Sequence, residues 1–198
     1  MKYRLLYFDD RGRGEPIRLL FHMSGETFED VRIAHEDWPE FRSKTPLGQL
    51  PVLECDGKQL IQTKAICRYL AKSFRLAGRN MADAAACDVV VDIVLDLYDQ
   101  CEHVIMTESD QRKKNEHWRE VYAACGKETL GRLDAILRRG TGYFVGNDIT
   151  WADIVVFALV SNIKDNFKNM LQSHQQLLTF LSRMKDNSKI KSYYESIA

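Results

Sequence analysis

Proline is missing from most of this chain: all four, at positions 16, 39, 46 and 51, lie in the first 51 of 198 residues, and residues 52–198 have none. A long proline-free stretch with apolar residues spaced i, i+3, i+4 reads as helical. Excess charge is also missing, with 28 Lys+Arg against 28 Asp+Glu, which argues against a protein built to neutralise nucleic-acid phosphates. No apolar run approaches the ~20 residues that span a bilayer. Met1-Lys2-Tyr3-Arg4 leads into a strand-like run without a small-residue cleavage pattern, so no signal peptide is expected. The five cysteines, at 55, 67, 87, 101 and 125, form no C-x-x-C, which excludes zinc-knuckle spacing and a dithiol motif. Free thiols and a cytoplasmic location are the expectation. There is no G-x-x-x-x-G-K-[ST], H-E-x-x-H or G-x-S-x-G, so no triphosphate loop, zincin helix or nucleophile elbow is present. Gly12-Arg13-Gly14 lacks the third glycine of a dinucleotide loop.

What is present is an ordinary globular composition, 45% hydrophobic and 28% charged, able to bury a core. A boundary is read near Phe74–Met81, where Leu76-Ala77-Gly78-Arg79-Asn80 looks like a linker. Residues 1–79 carry 14 basic and 11 acidic side chains, a net +3, and residues 80–198 carry 14 and 17, a net −3. The first part alternates. Tyr3–Phe8 reads as a strand, and Pro16 marks a helix start with Ile17, Leu20 and Phe21 on one face. Phe28, Val31 and Ile33 suggest a second strand. Pro51–Cys55 and Lys58–Ile61 flank Asp56-Gly57, a hairpin signal. A helix with Ile66, Tyr69, Leu70 and Phe74 follows from Thr63. This is an α/β pattern with a mixed sheet, followed by an all-helical part. Thr150 and Asp153 form a capping box, with Ile149 and Ile154 spaced as a hydrophobic staple, before the apolar run Ile154–Val160. The box is read as structural.

Taken singly, the polar candidates are unspecific. Tyr7 reads as a strand aromatic, Trp38-Pro39-Glu40-Phe41 as a helix start, Leu50-Pro51 as a strand entry and Gln62-Thr63 as an N-cap. Their combination and order are specific. Tyr7-Phe8, Arg11-Gly12-Arg13-Gly14-Glu15, Asp37-Trp38-Pro39, Pro46-x-Gly48-Gln49-Leu50-Pro51-Val52-Leu53, Gln62-Thr63-x-Ala65-Ile66-x-Arg68-Tyr69-Leu70 and Gly146-Asn147-Asp148-Ile149-Thr150-Trp151-Ala152-Asp153 resemble the glutathione transferase family over essentially the whole chain. The match is strongest to its sigma class, which includes nematode members and the haematopoietic prostaglandin D synthases. The resemblance implies a thioredoxin-like glutathione-binding domain over residues 1–79. Residues 80–198 then form an all-helical domain that makes the electrophile pocket and part of a homodimer interface.

The resemblance further implies an enzyme that activates the glutathione thiol and conjugates it to small hydrophobic electrophiles in detoxification. Neither metal nor nucleic acid nor membrane is required. Free thiols near pKa ~8.5 are only a few per cent ionised at pH 7. Tyr7, kept protonated, is the implied donor to the thiolate, with Arg13 as a nearby cation. Trp38 and Arg42 match the positions that hold the glycyl carboxylate, and Gln49 would add a side-chain hydrogen bond; the Leu50 backbone, before a cis bond to Pro51, matches the one that pairs with the cysteinyl unit. Gln62 and Thr63 match those for the γ-glutamyl end, with Thr63 in place of the usual serine. Asp96 is implied to reach glutathione bound in the other subunit. Asp88 reads as part of a solvated acidic stripe, and a weak divalent-ion site near Asp92 and Asp96 stays open, although Leu95 stands where a further aspartate is expected. The implied electrophile pocket is Phe8, Asp10, Arg13, Tyr98, His103, Val155 and Leu159. The prostaglandin synthase pattern has Met, Trp and Tyr at positions 10, 103 and 155, so a wider, more polar cleft is expected here. His103 is alternatively a plain surface histidine. Two other functions remain: an isomerase of the prostaglandin D synthase kind, and a non-catalytic carrier of hydrophobic ligands or crystallin-like structural protein.

Overall fold

A computed structural model describes residues 2–167 and 169–197. Four strands form one mixed sheet: β1 (Tyr3–Phe8), β2 (Phe28–Ile33), β3 (Val52–Cys55) and β4 (Lys58–Ile61), in the order β2-β1-β3-β4. β1 and β2 run parallel, with Tyr7 opposite Arg32, and are joined by helix α1 (Glu15–Ser24). β3 lies antiparallel to β1 and turns into β4 at Asp56-Gly57. Both turn residues have positive φ, 47° and 79°, as a two-residue hairpin loop of this twist requires. The short α2 (Trp38–Arg42) precedes β3, and α3 (Thr63–Ser73) follows β4. This β-α-β plus β-β-α arrangement is the expected thioredoxin-like one. Pro16 stands at the second position of α1, one later than expected, still inside the first turn where its missing N–H breaks no helical bond.

Among the described residues six further helices follow: α4 (Met81–Thr107), α5 (Gln111–Val121), α6 (Lys127–Arg139), α7 (Trp151–Asn166), α8 (Gln175–Lys185) and α9 (Ser188–Ser196). A π-helical stretch, Tyr122–Gly126, joins α5 to α6. The centre of the molecule is α7, on which both α4 and α1 pack. Ile154, Val155, Val156, Leu159 and Val160 are completely buried on it, so its stretch Ile154–Val160 is apolar on every side, as a helical segment surrounded by others must be. The inner face of the sheet adds Tyr3 and Leu5 to the same core, against Ile17, Leu20 and Phe21 of α1 and Ile66 and Leu70 of α3. The other face holds a small satellite cluster of Leu6, Ile33 and Val52.

Several polar contacts bind the helical part to the sheet part. The Trp151 N–H donates to the Leu76 carbonyl at 2.9 Å, and the Tyr193 hydroxyl donates to Glu15, which is 1% exposed, at 2.9 Å. The capping box opens α7 as expected. Asp153 accepts from the Thr150 N–H and hydroxyl, both at 2.8 Å, and from the Phe144 N–H at 3.0 Å. Burial pushes its carboxyl up, and these donors oppose that shift.

Asp153→Ala leaves three buried donors without their acceptor. Urea unfolding followed by tryptophan fluorescence is expected to show a loss of about 2–4 kcal/mol. A loss below about 0.5 kcal/mol would show that the box does not hold the start of α7.

Candidate active site

Alternation along β1 turns Tyr7 toward the helices, where it is 3% exposed. The loop after β1 closes around it. A Cβ on Gly12 would lie 2.5 Å from the Tyr7 hydroxyl, and one on Gly14 would lie 2.4 Å from its ring. Gly12 also has φ +33°, so Gly12-Arg13-Gly14 is a socket for a tyrosine. The Arg13 N–H donates to the Tyr7 hydroxyl oxygen at 2.9 Å, which leaves the phenolic hydrogen to be donated elsewhere. Burial pushes the phenol well above its ordinary pKa, only partly offset by that N–H. Tyr7 therefore stays protonated at neutral pH.

Tyr7 opens onto a cavity of about 640 Å³, within the range of small-molecule sites. One wall is Gln49, Leu50, Pro51, Gln62 and Thr63; the floor is Tyr7 and Phe8 with Arg13 and His35. The Leu50-Pro51 bond is cis and Gln62 has φ +73°, an uncommon region for a residue with a Cβ. Gln62 donates to the Gln49 side-chain oxygen at 3.1 Å. Thr63 differs from the N-cap reading. It is the first residue of α3, and its hydroxyl donates across to the Arg13 carbonyl at 3.3 Å. Among the described residues no side chain caps α3, so the helix start keeps its orphan N–H groups for an anion.

The opposite wall is one face of α4: Asp99, Glu102, His103 and Met106, spaced i, i+3, i+4, i+7. Two of these hold Arg13. Its Nε donates to Glu102 at 2.7 and 2.8 Å, and its Nη2 to Asp99 at 2.6 Å. Burial works against the arginine's charge, but the carboxylates outweigh it and hold the guanidinium above its ordinary range. The expected nearby cation is thus an arginine already paired twice.

The expected pocket residues divide. Phe8, Arg13 and His103 line the cavity; Tyr98, Val155, Leu159 and Asp10 do not. Tyr98 lies one position from Asp99, hence about 100° around α4. That turns it into the core, fully buried, where its hydroxyl donates to Asn162 at 3.1 Å. Val155 and Leu159 share the buried α7 interior. Asp10 sits behind the wall, 3.0 Å from the His35 Nε2. His35 in turn stacks on Phe8 at 4.3 Å, and Trp38 meets the same ring edge-on at 5.5 Å. Trp38, against Phe8, is half-buried and Arg42 is exposed, and neither is among the residues that line the cavity.

His35, Asp99, Glu102 and Met106 were not among the expected site residues. The spacing of the last three around His103 is the signal that finds them. Of the aspartates along α4, Asp88 pairs with Arg68 at 2.7 Å and Asp92 pairs with Lys64. Asp96 is exposed, with no partner among the described residues. None of the five cysteines lines the cavity. Burial pushes the thiols of Cys67, Cys87 and Cys101 up, that of Cys101 to about 12. A reactive thiol at Tyr7 is therefore one brought in by a ligand.

Comparison with known proteins fits this geometry. Residues 3–72 match the family model for the glutathione S-transferase N-terminal domain, and residues 95–197 match that for a glutathione S-transferase C-terminal domain. The chain is similar to glutathione S-transferase 1 of Ascaris suum, 35% identical over 97% of this chain and 95% of the relative. It is similar in structure to prostaglandin synthase D of Nilaparvata lugens, with TM-score 0.87, 30% identity, and 98% of each chain covered. It is also similar to a monomeric glutathione S-transferase of the hookworm Necator americanus, with TM-score 0.88, 31% identity, and 99% and 97% of the chains covered. Two matched domains and relatives aligned almost end to end agree with the buried tyrosine and its cavity: the chain belongs to the glutathione S-transferase family.

Proposed function

We propose that this enzyme binds glutathione in the Tyr7 cavity, ionises its thiol, and transfers the thiolate to small hydrophobic electrophiles in cytoplasmic detoxification. The observation that carries the reading is Tyr7 itself. It is buried and protonated, its oxygen engaged by the Arg13 N–H, and its O–H remains for a sulfur in the cavity. A buried donor aimed at a thiolate stabilises that form over the thiol. Lowering a thiol pKa by two units requires about 2.7 kcal/mol, the order of one charge-assisted hydrogen bond with help from the surrounding N–H groups.

The tripeptide follows the cavity. We assign the γ-glutamyl carboxylate to Gln62, Thr63 and the uncapped start of α3, and the cysteinyl unit to the Leu50 backbone before Pro51, with Gln49 adding a side-chain hydrogen bond to the tripeptide. The glycyl carboxylate goes to Trp38 and Arg42. Residues 1–79 are read as the glutathione-binding domain, and residues 80–198 as the helical domain that closes the electrophile side. Within the family, sigma is the class we assign. The similarity to a prostaglandin synthase keeps an isomerase acting through the same thiolate as the second reading.

A homodimer is supported by an unpartnered surface. Met81, Val89 and Asp96 share one face of α4 by spacing; Met81 is 90% and Val89 57% exposed, and Leu47 stands 79% exposed after α2. Large exposed apolar side chains beside an unpaired carboxylate suit a face that a second copy covers. Asp96 would then meet the γ-glutamyl amine of glutathione in the other subunit.

In Tyr7→Phe the thiolate absorbance of the glutathione complex should titrate one to two pH units higher than in the wild type. The conjugation rate at pH 6.5 should fall ten- to a hundredfold, with glutathione affinity within a few-fold. An unmoved titration would exclude Tyr7 as the thiolate donor. Asp96→Ala should raise the KM for glutathione several-fold more than it lowers kcat, the mark of a lost ground-state contact. Light scattering on the working enzyme should give twice the chain mass; a fully active monomer would overturn both the dimer and the role of Asp96.

A further inference from the structure

The α4 wall carries a charge pattern that bears on which electrophiles enter. Asp99 and Glu102 bring two negative charges into a cavity whose single guanidinium, Arg13, is held by both of them. The three sum to −1. Among the described lining residues there is no second arginine and no lysine. On the far side His35 is already engaged by Asp10, whose second carboxylate oxygen is buried without a partner. No cation in this half of the cavity is therefore left to receive an incoming anion. Glu102 is about one-quarter exposed and Asp99 about half exposed, so Glu102 is the less screened of the two.

Resting on the transferase reading, we infer that Asp99 and Glu102 select the second substrate by charge, favouring neutral and cationic electrophiles over those bearing a carboxylate. Two mechanisms act together. A carboxylate near this wall meets uncompensated negative charge in a cleft whose low-dielectric sides focus the field. It also loses hydration without gaining a hydrogen-bonded cation. A quaternary ammonium instead finds the exposed half of Asp99 in the same space. The inference bears on the second reading, because a fatty-acid endoperoxide carries a carboxylate that this wall disfavours.

The test uses one reacting ring with three tethers of equal length. The electrophiles are 4-chloro-3,5-dinitrobenzamides carrying a neutral methoxyethyl, a trimethylammonium-ethyl or a carboxyethyl group. In each the glutathione thiolate adds to the carbon bearing chlorine, the C–S bond forms, the C–Cl bond breaks, and chloride leaves with the electron pair. Values of kcat/KM are divided by the uncatalysed rate with glutathione, which removes charge effects already present in solution. In the wild type at low salt the cation should exceed the carboxylate by about tenfold, equivalent to ~1.4 kcal/mol. Adding 0.5 M salt should compress that ratio. Glu102→Gln, and independently the more exposed Asp99→Asn, should each reduce the ratio at least threefold. A wild-type ratio near one overturns the charge selection while the neutral compound's turnover preserves the transferase reading. A Glu102→Gln enzyme in which all three substrates fall by one common factor also overturns it, since Glu102 then only holds Arg13. Conjugation of none of the three overturns the transferase reading and this inference with it.

Discussion

The contact between the Arg13 N–H and the Tyr7 hydroxyl organises everything else at the site. It fixes a phenol at the end of β1 by a backbone donor rather than a side chain, so the loop after β1 must fold back within 3 Å of the ring. Only residues without a Cβ can flank that donor, which is why glycine stands at both 12 and 14. The loop is held from two further sides. Thr63 ties the Arg13 carbonyl to the start of α3. Arg18, 1% exposed, donates to the carbonyls of Phe8 and Asp10 while its Nε meets Asp30 at 3.1 Å. A buried guanidinium satisfied by carbonyls and a carboxylate is costly to break, so it acts as a rigid anchor for the loop.

The same loop also joins the two halves of the molecule. Glu15, its last residue and the first of α1, receives the hydroxyl of Tyr193 from α9, and Arg11 reaches Asp165 at the end of α7 at 2.7 Å. Arg13 bridges to α4. Thus the loop that positions the phenol also positions the helical wall opposite it, and the cavity between them takes its width from these ion pairs. Preorganisation of this kind lets a single donor act on a thiolate without reorganising as charge develops.

Most of the local structure was legible from residue types. Asp56-Gly57 between two apolar runs specifies a hairpin because both positions need positive φ. Thr150 and Asp153 specify the start of α7 because an N-cap and its answering carboxylate stand three apart. Tyr7, Gln49, Leu50, Pro51, Gln62 and Thr63 were marked by their order alone, and all line one cavity. Less legible was which way each helix turns its side chains toward that cavity. Tyr98, Val155 and Leu159 were expected on its wall and lie in the core, because a one-residue step rotates a side chain by about 100° and α7 is buried on all sides. His35 gave no sign in the linear sequence, since its partner Asp10 is 25 residues away, and the pairing of Glu102 with Arg13 spans 89 residues.

By itself, then, the sequence determined the strands and helices of the first part, the helical character of the second, and the capping and turn chemistry. These depend on conformational preferences and bonds within a few residues. The tertiary structure alone decided the electrostatic character of the site. Whether Arg13 is a free cation or a neutralised one depends on Asp99 and Glu102 arriving beside it from another helix. Coulombic and hydrogen-bond energies depend on distance in space, and only the packing of α4 on α7, which also packs on α1, sets that distance.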